Sequence, residues 1–530
     1  MKKSMLVLAA AAIAAVGVSA AAEPSEAEAR LKAVADGVCT ILSVKEMQAH
    51  GLTFTRVDYA LRPEAESDIR CRILLPPAEK WNGEFWGTGN SSLGGSIPDN
   101  TRMLDQNMAV ATTDLGTARY VNGDAHMKAG IKADLADVEK TLYKKGDCLD
   151  KPWPEAILKD YGWRATHLMT VYGKRFVKAF YGRAQKHSYF VGGSCGGRQA
   201  LSEAMRFPED YDGILSSIPS GTSIAHGAQN LHRYKMTHDD ADRPLVTPEQ
   251  LRILADAPIE YMKDRDLKPY AGHFLSNPFV FTPEDIDGFL ALAAKKDPAL
   301  GESSLKARLR EMFLGYSRNG RVMCHGILPG VMSGNKIGIS FRSKGTCVSL
   351  THPQGRRKAP TPTWEQFDEA AERNGGVLNA SSFDLAKFRD RGCKLIVTAA
   401  LEDQSTPAAN TIAWYEMMAE HMGGIEKVQD FCRLFVLPGV AHGGGKGHIL
   451  RPPVRTPQYL DLLRAWVAKG EAPTTLPLVW RQGGVTFPLP PYPLMCYQDE
   501  SGAWKNKRYP EGMIRRPDAR YFRTDIDVER

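Results

Sequence analysis

The sequence predicts an α/β fold, a mostly parallel sheet flanked by helices and interrupted by a large insertion. Three observations carry that prediction. Two blocks of the chain, residues 40–218 and from residue 393 onward, alternate short apolar runs with stretches of helical periodicity. The segment between them, 220–385, is richer in proline, charge and loop signals. The run Tyr189-Phe190-Val191 leads through Gly192-Gly193-Ser194-Cys195-Gly196-Gly197 into Gln199–Phe207, where apolar residues recur at helical spacing.

In the first block Arg72–Leu75, Phe85–Gly87 and Met108–Thr112 read as strands, and a long helix is expected around Trp163–Phe180. In the second, Cys393–Ala399 and Cys432–Leu437 are short continuous apolar runs of the kind that buried parallel strands show. A helix around Asn410–His421 separates them. Inside the insertion, Pro248–Ala255 and Ser304–Phe313 are short helical patterns. The chain therefore divides into a leader, 1–20, a first core segment, 21–219, an inserted lid, 220–385, and a second core segment, 386–530. No internal repeat or low-complexity tract is visible.

The leader has the pattern of a secretory signal. Lys2 and Lys3 precede the apolar, alanine-rich Met5–Val18, and Val18-Ser19-Ala20 supplies small residues for cleavage. A periplasmic or secreted protein is expected. The apolar run is short for a spanning helix, and no later stretch is long and apolar enough to cross a bilayer, so no membrane partner is expected. The formal charge of +7 is mild and spread along the chain, with no basic block to mark a nucleic-acid partner. Nine cysteines in an exported chain permit disulfides, and the odd count leaves at least one free. Cys39 with Cys71 is the pair expected first, worth about 3–4 kcal/mol in the chain-entropy picture. Cys324 with Cys347 comes second. The chain has no C-x-x-C, so zinc and thioredoxin-type chemistry are not suggested.

Strand, glycine-flanked serine and helix together form the layout of a nucleophile elbow, a strained turn that lifts the Ser194 hydroxyl above a sheet. A serine needs a base to take its proton, and the base needs an orienting carboxylate. In α/β-hydrolase folds these follow in the order Ser, Asp or Glu, His. Asp403 lies just beyond the strand pattern 393–399, and His442 just beyond the strand pattern 432–437, in the glycine-containing run Pro438–Gly445. Glu402 is the rival carboxylate, and His448, His325 and His421 are rival bases. An aspartate after a strand also serves as a helix cap, so order and placement carry the argument, not residue type. Two oxyanion donors are required. The Cys195 amide follows the nucleophile, and the loop Gly87–Gly95, through an amide near Ser92, offers the second. No helix with a following Lys-Ser or Lys-Thr makes that loop a phosphate cradle. The same stretch also satisfies G-x-C-x-G, the elbow of cysteine-dependent dienelactone-type hydrolases, which would make Cys195 the nucleophile.

These segments together resemble the tannase and feruloyl esterase family. The resemblance rests on Gly193–Gln199, the flanking His187–Phe190 and Phe207–Ile214, Leu75-Pro76-Pro77 with Trp81-Asn82-Gly83, Thr113–Gly116, Asp403 and Pro438–Gly443. It covers roughly residues 39–218 and 390–500. It implies an α/β-hydrolase fold, the serine register, and a Ser194, Asp403 and His442 triad. The implied reaction is hydrolysis of aromatic acid esters, hydroxycinnamic or gallic, with a small-molecule substrate as the partner. A generalist carboxylesterase or an acyltransferase on the same triad is the alternative. Two departures from the family stand out. Its usual disulfide beside the triad is replaced by Gly193 and Gly443, which implies a site held by packing. Its Asp-rich calcium loop is reduced to Asp264 and Asp266 within 263–278, so no cofactor or metal is expected.

Overall fold

The computed structural model describes residues 26–121, 148–331, 346–355, 358–442, 457–480 and 483–528. Its centre is a nine-stranded sheet. The strands are β1 (Cys39–Ala49), β2 (Leu52–Leu61), β3 (Ile69–Leu75), β4 (Glu84–Thr88), β5 (Ala109–Thr113), β6 (His187–Gly193), β7 (Gly213–Ser217), β8 (Lys394–Ala400) and β9 (Cys432–Leu437). They lie side by side in the order β1-β2-β3-β5-β4-β6-β7-β8-β9. From β5 to β9 every pairing is parallel, whereas β1, β2 and β3 join antiparallel at one side. This is the α/β-hydrolase architecture expected from the sequence, and each strand read there overlaps an observed one, with Met108 and Cys393 falling one residue before theirs.

Alternation along the strands explains why the parallel runs are apolar throughout. Phe190, Ile214, Leu395 and Leu434 point into the core on one face. Their sequence neighbours Tyr189, Leu215, Ile396 and Phe435 point into the core on the other. On the first face lie α1 (Ala165–Tyr181), α2 (Cys195–Arg206), α3 (Ser223–Thr237) and α4 (Ala408–His421), which contribute Phe176, Leu201, Leu231 and Trp414. On the second lies α5 (Pro457–Lys469), through Leu463 and Trp466. α1 is entered through a π turn at Asp160–Arg164, where the Arg164 guanidinium donates to Asp160 Oδ1 at 2.6 Å.

Between β7 and β8, no described residue of 220–385 adds a strand to the main sheet. This segment holds α3, helices at Pro248–Met262, Pro283–Lys296, Ser303–Leu314 and Trp364–Leu378, and a small hairpin of Tyr316–Arg318 with Arg321–Cys324. Three of the helices start with capping boxes on Thr247, Thr282 and Thr363. After α5 come two further hairpins, Leu476–Trp480 with Val485–Leu489 and Leu494–Gln498 with Trp504–Arg508. The last described stretch is a strap across the other elements. Asp525 O accepts from Arg206 of α2 at 2.8 Å, and Tyr521 O and Arg523 O accept from Asn379 at 3.0 and 2.8 Å.

The expected disulfide is corrected here. Cys39 and Cys71 are both free and buried. Cys39 faces Leu61 on β2, and Leu61 in turn faces Ile69 on β3. A whole strand therefore separates the two cysteines, about 10 Å at the usual strand spacing, beyond the reach of a disulfide. Both thiols belong to the packed core, where burial pushes Cys39 up to about 12. Cys324 is free and buried as well, and the side chain of Cys347, its expected partner, lies outside what is described. Residues 1–20, and with them the signal expected there, lie outside the described residues, as do Gly443 and His448. Among the described residues no helix is long and apolar enough to cross a membrane.

Candidate active site

Ser194 sits between β6 and α2 with φ 60° and ψ −119°, a left-handed conformation that a side-chain-bearing residue adopts only under constraint. The constraint is visible on both sides. Ser194 N–H donates to Ser217 O at 3.0 Å, and Ser194 O accepts from Ser220 N at 3.0 Å and Arg198 N at 3.1 Å. Close backbone approach requires the surrounding glycines. A Cβ on Gly192 would lie 2.2 Å from Gly196 O, and one on Gly89 would lie 2.3 Å from Gly196 Cα. The loop after β4 is thus pressed directly onto the first turn of α2.

That loop is fixed by two side chains for which the sequence assigned no role. Gln199 of α2 accepts from Asn90 N–H at 2.8 Å and is itself held by Thr166 Oγ1 at 2.8 Å. Asn90 Nδ2 donates to Thr113 O and Ser96 O, at 2.6 and 3.0 Å. Asn90 O accepts from Gly196 N at 2.8 Å, and Gly89 N donates to Val191 O at 3.0 Å. The amides of Gly89 and Asn90 are therefore committed to holding the loop. Among the described residues, the N–H groups of Ser91 and Ser92 meet no acceptor. Ser92 is exposed, with φ 53°. The Cys195 N–H occupies the first position of α2, where helix amides lack an internal partner. The Cys195 thiol, in contrast, is buried against the Tyr161 hydroxyl at 4.0 Å and receives the Arg198 guanidinium at 3.6 Å.

Asp403 and His442 follow β8 and β9, at the same C-terminal edge of the parallel strands as Ser194 after β6. His442 Nδ1 lies 2.8 Å from Asp403 Oδ2. The carboxylate can only accept here, so Nδ1 carries the proton and Nε2 keeps its lone pair. Three more donors fix the carboxylate. Ser405 N and Thr406 N reach Oδ1 at 2.7 and 2.6 Å, and Thr406 Oγ1 reaches Oδ2 at 2.6 Å. The Asp403 side chain is fully buried, whereas that of His442 keeps 22% of its surface exposed. Glu402, the rival carboxylate, ties its backbone N–H to Val440 O. Of the rival bases, His325 donates to Gly326 O at 2.8 Å, and His421 is exposed at the end of α4.

Sequence reasoning did not single out two residues of α3 that reach this corner. Arg233, 4% exposed, donates to Gln404 O at 2.9 Å and to Asn230 Oδ1 at 2.7 Å. Burial brings its guanidinium down to about 10, with the Asp403 charge acting in the opposite direction. His226 is pushed down to about 4, first by burial and then by Arg233, so it is neutral near pH 7. Neither residue lies in a recognisable pattern. Only the tertiary fold brings α3 to this edge.

A metal fits poorly where one was considered. In 263–278 the Asp266 carboxylate already braces its own loop, accepting from Leu267 N at 2.7 Å, Ser276 N at 3.0 Å and the Ser276 hydroxyl. Among the described residues one group of metal-type side chains converges, buried His167, Glu203 and Asp210, with ligand atoms within 4.8 Å of one another. Lys174 Nζ lies 3.9 Å from Asp210 Oδ1 and donates to Asp210 O, so the cluster already has its cation.

Comparison with known proteins agrees with this architecture. The family described as tannase and feruloyl esterase matches residues 55–266 and 358–508. A mono(2-hydroxyethyl) terephthalate hydrolase of Piscinibacter sakaiensis is 26% identical, covering 82% of this chain and 80% of its own length. A probable feruloyl esterase B-2 of Aspergillus flavus is 24% identical, covering 79% of each. In structure, feruloyl esterase B from Aspergillus oryzae superposes with a TM-score of 0.73 at 19% identity, covering 91% of this chain and 99% of that one.

Proposed function

The chain belongs to the tannase and feruloyl esterase family and is a carboxylic ester hydrolase, and from that premise we propose that it cleaves esters of aromatic acids through Ser194, His442 and Asp403. The observation that carries the reading is the 2.8 Å contact of His442 Nδ1 with a fully buried Asp403, on the strand edge that also holds the strained Ser194 turn.

In this reading His442 Nε2 takes the Ser194 proton as the hydroxyl oxygen attacks the ester carbonyl. The Cys195 amide and an amide near Ser92 receive the developing oxyanion. The leaving alcohol takes the proton back from His442, and Asp403 stabilises the imidazolium between those two transfers. Water, activated by the same imidazole, then releases the aromatic acid from Ser194. These groups supply nucleophile, base and oxyanion donors without a metal. The buried setting of the Cys195 thiol favours a serine nucleophile over a cysteine one. The aromatic acid is inferred from the names of the relatives, since both ferulate and terephthalate esters carry an aromatic ring conjugated with the ester carbonyl. The basic, apolar and small-residue order of residues 1–20 supports export to the periplasm or the medium.

A substrate panel tests the reading. Methyl ferulate, methyl gallate, mono(2-hydroxyethyl) terephthalate and a short aliphatic nitrophenyl ester are compared on the wild type, Ser194→Ala and His442→Ala. Preference for the esters of aromatic acids, with kcat lowered by several powers of ten in both variants, is the expected result. Equal rates across the panel would make the protein a generalist, and full activity of Ser194→Ala would remove the proposed nucleophile.

A further inference from the structure

We propose that Gln404 is a positioning residue for the reaction, its side-chain amide clamping the backbone of His442 and Arg233 anchoring that clamp to α3. This rests on the reading of His442 as the general base. Beyond the last rungs of β8 and β9 the two chains continue to pair. Leu401 N donates to Leu437 O at 3.0 Å, and Glu402 N donates to Val440 O at 3.1 Å. At the next step the backbones no longer meet, and the Gln404 side chain takes over. Its Oε1 accepts from His442 N at 3.1 Å, and its Nε2 donates to His442 O at 3.5 Å. Both main-chain polar groups of His442 are therefore held by one side chain.

The need for such a clamp follows from the sequence. His442 is followed by Gly443-Gly444-Gly445, which offer no side chains with which to hold it. Asp403 meets the imidazole at Nδ1, which fixes the tip of the side chain. Fixing the backbone at N and O sets the origin of the side chain as well as its tip. Gln404 is in turn fixed at its own carbonyl by Arg233 Nη1, and Arg233 is braced by Asn230 Oδ1. The chain of contacts thus runs from α3, in the segment between β7 and β8, to the imidazole.

The test is Gln404→Leu, which keeps the approximate size and removes both bonds. Displacement of a base by even an ångström costs up to about 100-fold, so kcat is expected to fall about 10- to 100-fold, with KM within threefold. Sulfonylation of Ser194 by phenylmethylsulfonyl fluoride should slow by the same factor, because it needs the same base. The downfield proton resonance of the His442 Nδ1–H should broaden or shift. Gln404→Glu keeps the acceptor for His442 N and is expected to recover part of kcat. Arg233→Met should reproduce Gln404→Leu, and the double variant should lose no more than either alone.

A Gln404→Leu enzyme within twofold of wild-type kcat, beside an inactive His442→Ala, overturns the clamp and leaves the triad standing. Full activity of His442→Ala overturns both. Equal losses in kcat and KM, with the Nδ1–H resonance unmoved, overturn the clamp in favour of a general packing role.

Discussion

The Asp403 carboxylate collects four donors, two of them side chains. Thr406→Val deletes the 2.6 Å hydroxyl contact to Oδ2 and keeps the side-chain shape. Losing one charge-assisted bond, about 1.5–3 kcal/mol, should lower kcat roughly 10- to 100-fold, with KM little changed. Asp403→Asn should cost more, about 10⁴-fold in kcat, because its amide can turn the imidazole to the wrong tautomer. Asp114 shows a different kind of buried carboxylate. Burial is the largest influence on it and pushes it up to about 7, against the pull of the Gly116 and Arg70 amides on Oδ1. The folded protein thus keeps the proton where the unfolded chain has lost it, and stability falls as pH rises from about 4 to about 7. Asp114→Asn, which resembles the protonated form, should gain on the wild type across that window in urea denaturation. A constant difference would contradict the assignment. Among single residues, Ser194, Asp403 and His442 were legible because each follows a recognisable strand. Gln199, Gln404 and Arg233 were not, since a glutamine or arginine that bonds to a backbone leaves no pattern in the sequence.

At the scale of elements, the junction between the loop after β4 and the first turn of α2 leaves no room for a side chain. Gly89→Ala would set a methyl 2.3 Å from Gly196 Cα, and neither backbone can yield without moving the other. The expected result is a loss of about 1–3 kcal/mol in stability. A drop in kcat of about 100-fold or more should accompany it as the loop amides leave their places, and both can be read by thermal unfolding and steady-state rates. Gly37→Ala, with open space around it and no left-handed φ, serves as the control for general glycine loss. Most of the parallel strands were legible because burial on both faces makes them continuous apolar runs, whereas β7, which starts with Gly213 and ends in Ser216-Ser217, was not read as one. β1 was not, because its residues alternate between intermediate and exposed at the sheet edge. The same antiparallel edge defeated the expected Cys39–Cys71 bridge, since nearness in sequence said nothing of the strand that lies between them.

Across the whole molecule, contacts distant in sequence tie the sheet, the segment between β7 and β8, and the C-terminal strap together. Arg206 of α2 is almost fully buried, and its guanidinium is spread over Asp525 O, Gly376 O, Asn379 O and Ser202 Oγ. Ending the chain at residue 518 would strip one of these bonds and leave Asn379 Nδ2 without both of its acceptors. Three lost buried bonds should cost about 3–6 kcal/mol and lower the thermal midpoint by several degrees. A truncated protein that melts with the wild type would show the strap to be dispensable. The hairpins and the strap were invisible in the sequence, because short two-stranded ladders and loop carbonyls carry no continuous apolar signature. The strap also sets an order of events. The partners it ties down, at positions 206 and 379, emerge from the ribosome long before position 525 does. A nascent chain, however much of its sheet has already paired, holds that arginine one partner short until position 525 has left the ribosome.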